Sequence, residues 1–233
     1  MPSSAPRLVL AIDTSTEMAG IGLSDGESHA ELVWPAGRMQ TTSVLAEIDT
    51  MLARYGRAIG DVGAVAVAIG PGTFTGLRVG LSIAKGLVLA QGAALIGIPT
   101  LAVTAAPWQE AGRPVMTVLP AGRGRVVCAA FGVDGGAGKL QNLAFDAFTE
   151  LAATSGLMVV GELSHEQRSI LADRGVAVAS ASASIRRPAV LADLALARWD
   201  RNDLDDPATL EPLYVHGVRA TTLPVEDRLR RRA

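Results

Sequence analysis

The sequence predicts an α/β protein made of two tandem copies of one unit, a meander of strands followed by alternating helices and strands. Three observations carry this. Short β-branched runs alternate with segments of helical length; a forced turn from Gly70 to Arg78 joins one such run to an apolar helix; and the same layout returns in weaker form after Pro114. The boundary falls around Pro107 to Pro114, so the expected domains are 1–107 and 108–233, the second one reduced.

In order along the chain, Met1 to Pro6 reads as a disordered lead-in, and Leu8 to Ile12 as a short buried strand. That strand ends in Asp13-Thr14-Ser15-Thr16, small polar residues that favour a turn with side-chain-to-backbone hydrogen bonds. Ala19 to Ser24 and Glu31 to Trp34 follow as strands, with a turn at Asp25-Gly26. Between Thr41 and Tyr55, Val44, Leu45, Ile48, Met51, Leu52 and Tyr55 keep helical spacing against Glu47, Asp49 and Arg54, which is an amphipathic helix. Val65 to Ile69 is β-branched and too short for a helix, while the stretch after the turn has helical length to Ala90 and ends near Gly92. Thr75 is placed as the N-cap of that helix. A strand at Ala94 to Ile98 and a short helix opening at Pro99 close the first half.

The second half repeats the scheme. Val115 to Leu119, Val126 to Phe131 and Leu140 to Phe145 read as strands, Ala147 to Thr154 as helix, and Leu157 to Val160 as strand. Ser164-His165-Glu166-Gln167 has the spacing of a capping box, which puts His165 in a solvated first turn. Pro188 opens a last helix through Val190, Leu191, Leu194, Leu196 and Trp199.

The chain is organised around Gly70-Pro71-Gly72-Thr73-Phe74-Thr75-Gly76-Leu77-Arg78. Such a turn sets backbone N–H groups and a helix N-terminus at a sheet edge, an anion-friendly arrangement. It is neither a P-loop, since no Gly-Lys-Ser/Thr closes it, nor a dinucleotide fingerprint, since Gly72, Gly76 and Gly80 are spaced by four. Gly76, Gly80 and Ala84 form a small-residue stripe, which permits very close approach of another helix or of the sheet.

Composition narrows the function classes. With 49% hydrophobic and 19% charged residues and a net charge of −2, the chain reads as an ordinary globular protein, neither membrane-spanning nor a general nucleic-acid binder. Without an export signal or a span of sufficient length it is expected in the cytoplasm. Cys128, the single cysteine, excludes an intrachain disulfide and reads as a buried small hydrophobe. The three histidines, His29, His165 and His216, are far apart, so no metal site on helical spacing is expected. Ser43, Ser82 and Ser164 lack a nucleophile elbow. Glu31 and Glu47, or Asp200, Asp203, Asp205 and Asp206, read as solvated acidic faces or loops. Asp13 has two readings: with Thr14 and Ser15 it can hold a hydrated metal and a phosphate, or it caps the hairpin as an Asx-turn. Arg228, Arg230, Arg231 and Arg232 make a basic tail, either solvated or touching RNA phosphates.

Three segments together resemble the TsaB family, also called YeaZ: Ala11-Ile12-Asp13-Thr14-Ser15-Thr16, the Gly70 to Arg78 turn, and Pro212-Leu213-Tyr214. The resemblance is strong over residues 7 to 105 and faint beyond about 132. It implies two tandem ribonuclease-H-like α/β domains of the actin, sugar-kinase and chaperone ATPase superfamily. It also implies a non-catalytic role in making threonylcarbamoyladenosine next to the tRNA anticodon. In that family the paralogue TsaD carries out the transfer, TsaB is its dimerisation partner, and the ATPase TsaE joins the pair. Two departures stand out: Thr42-Ser43 replaces the family's His-Ser, and Ala121-Gly122-Arg123-Gly124-Arg125 replaces its Asp-x-Arg-x-Gly.

From this follow the expected site residues. No catalytic residue and no metal ligand is expected. Asp13, Thr14 and Ser15 are a vestigial phosphate loop, with no cofactor of the chain's own and a nucleotide only at an interface shared with TsaD. The expected partner surface comprises Val44, Leu45 and Ile48 on one helix and Gly76, Leu77, Gly80, Leu81 and Ala84 on the next, with Leu81 on the outward face. Expected partners are TsaD, TsaE, tRNA through the complex, or a second copy of the chain. The alternative is a free-standing peptidase or small-molecule kinase.

Overall fold

The computed structural model describes residues 7–36, 40–215 and 221–222. His216 and the Arg228 to Arg232 tail lie outside these residues, as does the Met1 to Pro6 lead-in. The first part of the chain runs β1 (Leu8–Asp13), β2 (Met18–Ser24), β3 (His29–Pro35), α1 (Gln40–Arg54), β4 (Val62–Gly70), α2 (Phe74–Gln91) and β5 (Ala94–Pro99). There follow α3 (Thr100–Glu110), β6 (Val115–Pro120), β7 (Arg125–Phe131), β8 (Lys139–Ala144), α4 (Phe145–Ser155), β9 (Met158–Gly161), α5 (His165–Asp173), α6 (Pro188–Trp199) and β10 (Thr221–Thr222).

The chain divides into two compact units, Met1–Ile98 with Arg187–Leu213, and Pro99–Arg186 with Tyr214–Ala233. This differs from the expected division at 107/108 in two places. Pro107 stands inside α3, which continues to Glu110 and packs on β6, β7 and β9. Read as a breaker, it suggested a boundary where the helix in fact runs on. Conversely, α6 returns to the first unit and lies on β1 to β4.

The first unit holds a five-stranded sheet in the order β3-β2-β1-β4-β5, with β1 antiparallel to β2 and parallel to β4. Strand alternation sorts its two faces. Leu8, Leu10 and Ile12 of β1 and Ile21 and Leu23 of β2 share one core with Val44, Ile48 and Leu52 of α1 and Leu81, Ala84 and Val88 of α2. On the other face Gly20 and Gly22 make room for α6. A Cβ at Gly20 would lie 2.5 Å from Pro188 Cγ, and one at Gly22 2.7 Å from the Pro188 carbonyl carbon. Glycine in a strand here marks the close approach of a helix.

The second sheet has the order β10-β8-β7-β6-β9, again an antiparallel meander with one parallel neighbour. Its core contains Met116, Val118, Val126, Cys128, Phe148, Val159 and Leu171. Where the first unit has β5, the second has, among the described residues, a parallel bridge between Val159 and Val178. The duplicated α/β plan, with a reduced second copy, is thus present in both units. The capping box at α5 is complete: Gln167 N–H donates to Ser164 Oγ at 3.1 Å, and Ser164 N–H to Gln167 Oε1 at 3.0 Å.

Candidate functional site

The turn after β1 folds in on itself. Asp13, Thr14 and Ser15 are 3%, 1% and 0% exposed. Asp13 Oδ1 accepts from the Ser15 N–H at 2.9 Å and from Ser15 Oγ at 2.5 Å, the Asx-turn arrangement. Thr14 Oγ1 donates to the Gly76 carbonyl at 2.7 Å, and the Thr73 N–H donates to the Ser15 carbonyl at 2.7 Å. Gly72 in the central turn and Gly80 in α2 answer to this closeness: a Cβ at Gly72 would stand 2.2 Å from the Ser15 oxygen, and one at Gly80 2.3 Å from Thr14 Oγ1. The small-residue stripe therefore faces the sheet and the β1 turn.

The N-cap of α2 is Thr73, not Thr75. Thr73 is extended (φ −71°, ψ 140°), and its hydroxyl accepts from the Gly76 N–H at 3.2 Å. The helix already begins at Phe74, so Thr75 lies inside its first turn, and only Thr73 stands before the helix with Gly76 three residues on. In this arrangement the first amides of the anion-friendly turn already have partners: Thr73 N–H on Ser15, Gly76 N–H on the cap.

The C-terminal end of the first unit joins the same place. The Leu213 N–H donates to the Ile69 carbonyl at 2.7 Å. Gly70 has φ +120°, and a Cβ on it would lie 2.7 Å from the Leu213 oxygen, so glycine is required on both counts. The turn before α2 thus meets both the segment after β1, at Thr14 and Ser15, and Leu213, at Ile69 and Gly70.

Most expected partner-surface residues face inward. Val44, Ile48, Leu77, Leu81 and Ala84 are all buried, Leu81 at 6% exposure within the unit's own core, and Gly76 and Gly80 sit against Thr14. Leu81 is thus not on the outward face. An 18-residue helix that is apolar all round gives no phase from sequence; the glycines set it by admitting β1 on one side. The outward stripe runs instead through Phe74, Arg78, Ser82, Lys85 and Leu89, at spacings of four, four, three and four. Leu89 is 78% exposed, Phe74 50%, and Leu45 on the adjoining α1 50%. The Arg78 guanidinium lies 3.8 Å from the Phe74 ring centroid, a cation–π contact on that stripe.

The remaining candidates resolve into structural roles. Among the described residues no group of three or more His, Cys, Asp or Glu could hold a metal ion, and no helix is long and apolar enough to cross a membrane. His29 Nε2 lies 2.8 Å from Asp193 Oδ1 of α6, and His165 is exposed. Glu31 accepts from Arg187 Nε at 2.8 Å and from the Ala189 N–H at 3.1 Å, which fixes the start of α6. Cys128 is buried, and burial pushes its thiol up to about 12. Asp203 and Asp205 are not merely a solvated loop. Arg198 donates to both carboxylates, at 2.9 Å and 3.1 Å, and to the Gly97 carbonyl at 2.8 Å. No local spacing in the sequence announces this, because Gly97 is about a hundred residues away.

A model of the family described as "TsaD: tRNA N6-adenosine threonylcarbamoyltransferase" matches residues 36–195, more than half of the chain. The chain belongs to that family, on its TsaB/YeaZ branch. The "tRNA threonylcarbamoyladenosine biosynthesis protein TsaB" of Escherichia coli (strain K12) is 36% identical over 128 residues, 53% of this chain and 54% of that one. The protein of the same description from Haemophilus influenzae is 42% identical over 97 residues, 42% of this chain and 40% of that one. This chain thus spans about half the length of the curated relatives it matches. The solved structure "YeaZ from Pseudomonas aeruginosa" superposes with a TM-score of 0.74 at 21% identity, over 89% of this chain and 99% of that one, and so shares the fold.

Proposed function

We propose that this TsaB/YeaZ-branch chain is a non-catalytic scaffold subunit acting in the cytoplasm. It pairs with a TsaD-type paralogue, which a TsaE-type ATPase joins, for threonylcarbamoylation of the adenosine next to the tRNA anticodon. The observation that carries the pairing is the outward face of α1 and α2, where Leu45, Phe74 and Leu89 are half exposed or more on two adjoining helices. Burying a side chain such as Leu89 in a partner contributes about 1.5–3 kcal/mol, and a few such anchors dominate a typical interface. The family supplies the paralogue as the partner, and tRNA is met through the complex. A second copy of this chain can occupy the same face when the paralogue is absent.

Asp13, Thr14 and Ser15 support a scaffold role, since their polar atoms engage the chain itself. On this reading the chain has no cofactor of its own, and a nucleotide, where present, belongs to TsaD or to an interface shared with it. A metallopeptidase would need a cluster of metal ligands, and among the described residues no group of three or more His, Cys, Asp or Glu could hold a metal ion. The test is calorimetric titration of this chain with the TsaD paralogue from the same organism. Wild type should bind, and Leu89→Glu should weaken binding at least tenfold, the scale of a lost apolar anchor plus an unpaired carboxylate. Unchanged affinity in a folded Leu89→Glu protein would remove this face from the interface. Absence of binding by wild type would remove the pairing itself.

A further inference from the structure

Beyond α6 the chain lies along the edge of the first sheet. The Asp205 N–H donates to the Leu95 carbonyl at 2.9 Å, an antiparallel bridge that covers the outer edge of β5. Asp205 Oδ2 accepts from the Gly97 N–H at 2.8 Å, and Arg198 ties that carboxylate and the Gly97 carbonyl together. Leu210 is wedged over Gly97, where a Cβ would lie 3.1 Å from both of its methyl carbons. Leu213 then hydrogen-bonds Ile69 and presses its carbonyl on Gly70. The next contacts along the chain from Gly70 are Gly72 and Thr73 on Ser15, and Gly76 on Thr14.

We propose that residues 205–213 are a clasp that holds the Gly70–Gly76 turn in place and so fixes the start of α2, with Phe74 in its first turn and Arg78 just beyond it. The physical reason is that this turn is held from both sides. Ser15 and Thr14 grip its far end, and the clasp closes its near end at Ile69 and Gly70. Glycines make the turn soft on their own, so its position is set by these outside contacts. Arg198, Asp205 and Leu210 anchor the clasp; Leu213 delivers the contact. The consequence for binding rests on the proposed pairing face, while the clasp itself is a property of this chain alone.

Hydrogen exchange on the full-length chain separates the two. Leu213→Pro deletes the donor to Ile69, Leu210→Ala loosens the anchor, and Glu211→Ala, an exposed residue of the same segment, is the control. In the first two variants the amides of Thr73, Gly76 and Leu77 should exchange roughly two- to tenfold faster, the scale of one lost hydrogen bond. The β1–β2 ladder should keep its protection, and the control should match wild type. Protection of Thr73, Gly76 and Leu77 equal to wild type while residues 205–213 exchange fast would overturn the clasp. Should Leu213→Pro unfold globally, Leu210→Ala is read by the same criterion. Faster exchange with unchanged affinity for the TsaD paralogue supports the clasp and counts against the pairing face.

Discussion

Replacing Gly80 by alanine tests how closely α2 sits on the β1 turn. The new Cβ would stand 2.3 Å from Thr14 Oγ1 and 3.6 Å from Val67 Cγ2, so the whole conflict is with one hydroxyl. It has two ways out. Thr14 can rotate, which abandons its 2.7 Å bond to the Gly76 carbonyl and orphans a buried hydroxyl, or α2 can shift outward from the sheet. Orphaning costs about 1–3 kcal/mol, and overpacking costs a similar 1–3 kcal/mol. Because Thr14 is 1% exposed and water cannot replace the lost bond, the upper part of the range applies. Alanine returns about 1 kcal/mol of helix propensity, leaving a net loss of about 1–2 kcal/mol, or roughly 2–8 °C in Tm for a chain of this size. Thermal melting followed by circular dichroism measures it. Gly86→Ala is the internal control, since a Cβ there meets nothing within 4 Å, and it should stabilise by about 0.5–1 kcal/mol. In the double variant Thr14→Ala with Gly80→Ala the clash is gone, so the pair should be less destabilised than the sum of the two single changes, by about 1 kcal/mol. A neutral or stabilising Gly80→Ala, or strict additivity in the cycle, would refute the close contact.

Leu81→Glu should fail by unfolding rather than by loss of pairing, since lost packing alone costs about 2–5 kcal/mol for a buried leucine; a melt of the isolated chain, set beside an unchanged melt for Leu89→Glu, checks it. Ser164→Ala removes the cap of α5 and should cost about 1 kcal/mol in urea unfolding. Cys128 should resist thiol reagents in the native protein and react on denaturation. Its folded value of about 12 lies above the ordinary value of 9.0, so the stability it contributes is complete below pH 9 and is lost as pH rises towards 12. Urea midpoints of wild type should therefore decline more steeply over that window than those of Cys128→Ala.

Much of the fold could be read because period and punctuation agree locally. The apolar run of β1 with the polar turn that ends it, the helical spacing of α1, the Gly92 terminator of α2 and the Ser164 box all lie within a few residues of the feature they specify. Long-range choices were hidden. α6 belongs to the first unit because Gly20 and Gly22 leave space for Pro188, a relation between positions well over a hundred residues apart. The phase of α2 was illegible for a different reason: with leucine, valine and isoleucine on nearly every face, only the contact between Gly80 and Thr14 decides which leucines turn inward. The strand-end motif is legible as a motif but its partner is not, because Thr73 reaches Ser15 through a backbone N–H, and Leu213 meets Ile69 in the same way at the end of β4. Arg198 and its two aspartates looked like ordinary surface charge for the same reason: their geometry depends on a carbonyl of β5.

The central claim is that this chain contributes to tRNA modification by pairing and not by chemistry of its own. Reconstitution tests it most directly: the TsaD and TsaE proteins of the same organism are supplied with ATP, the threonylcarbamoyl donor and unmodified tRNA, and threonylcarbamoyladenosine is quantified with and without this chain. The account predicts product only when TsaD and this chain are both present, none from this chain alone, and a dose response that saturates at one copy per TsaD. Full modification in its absence, or product from this chain without TsaD, would contradict it.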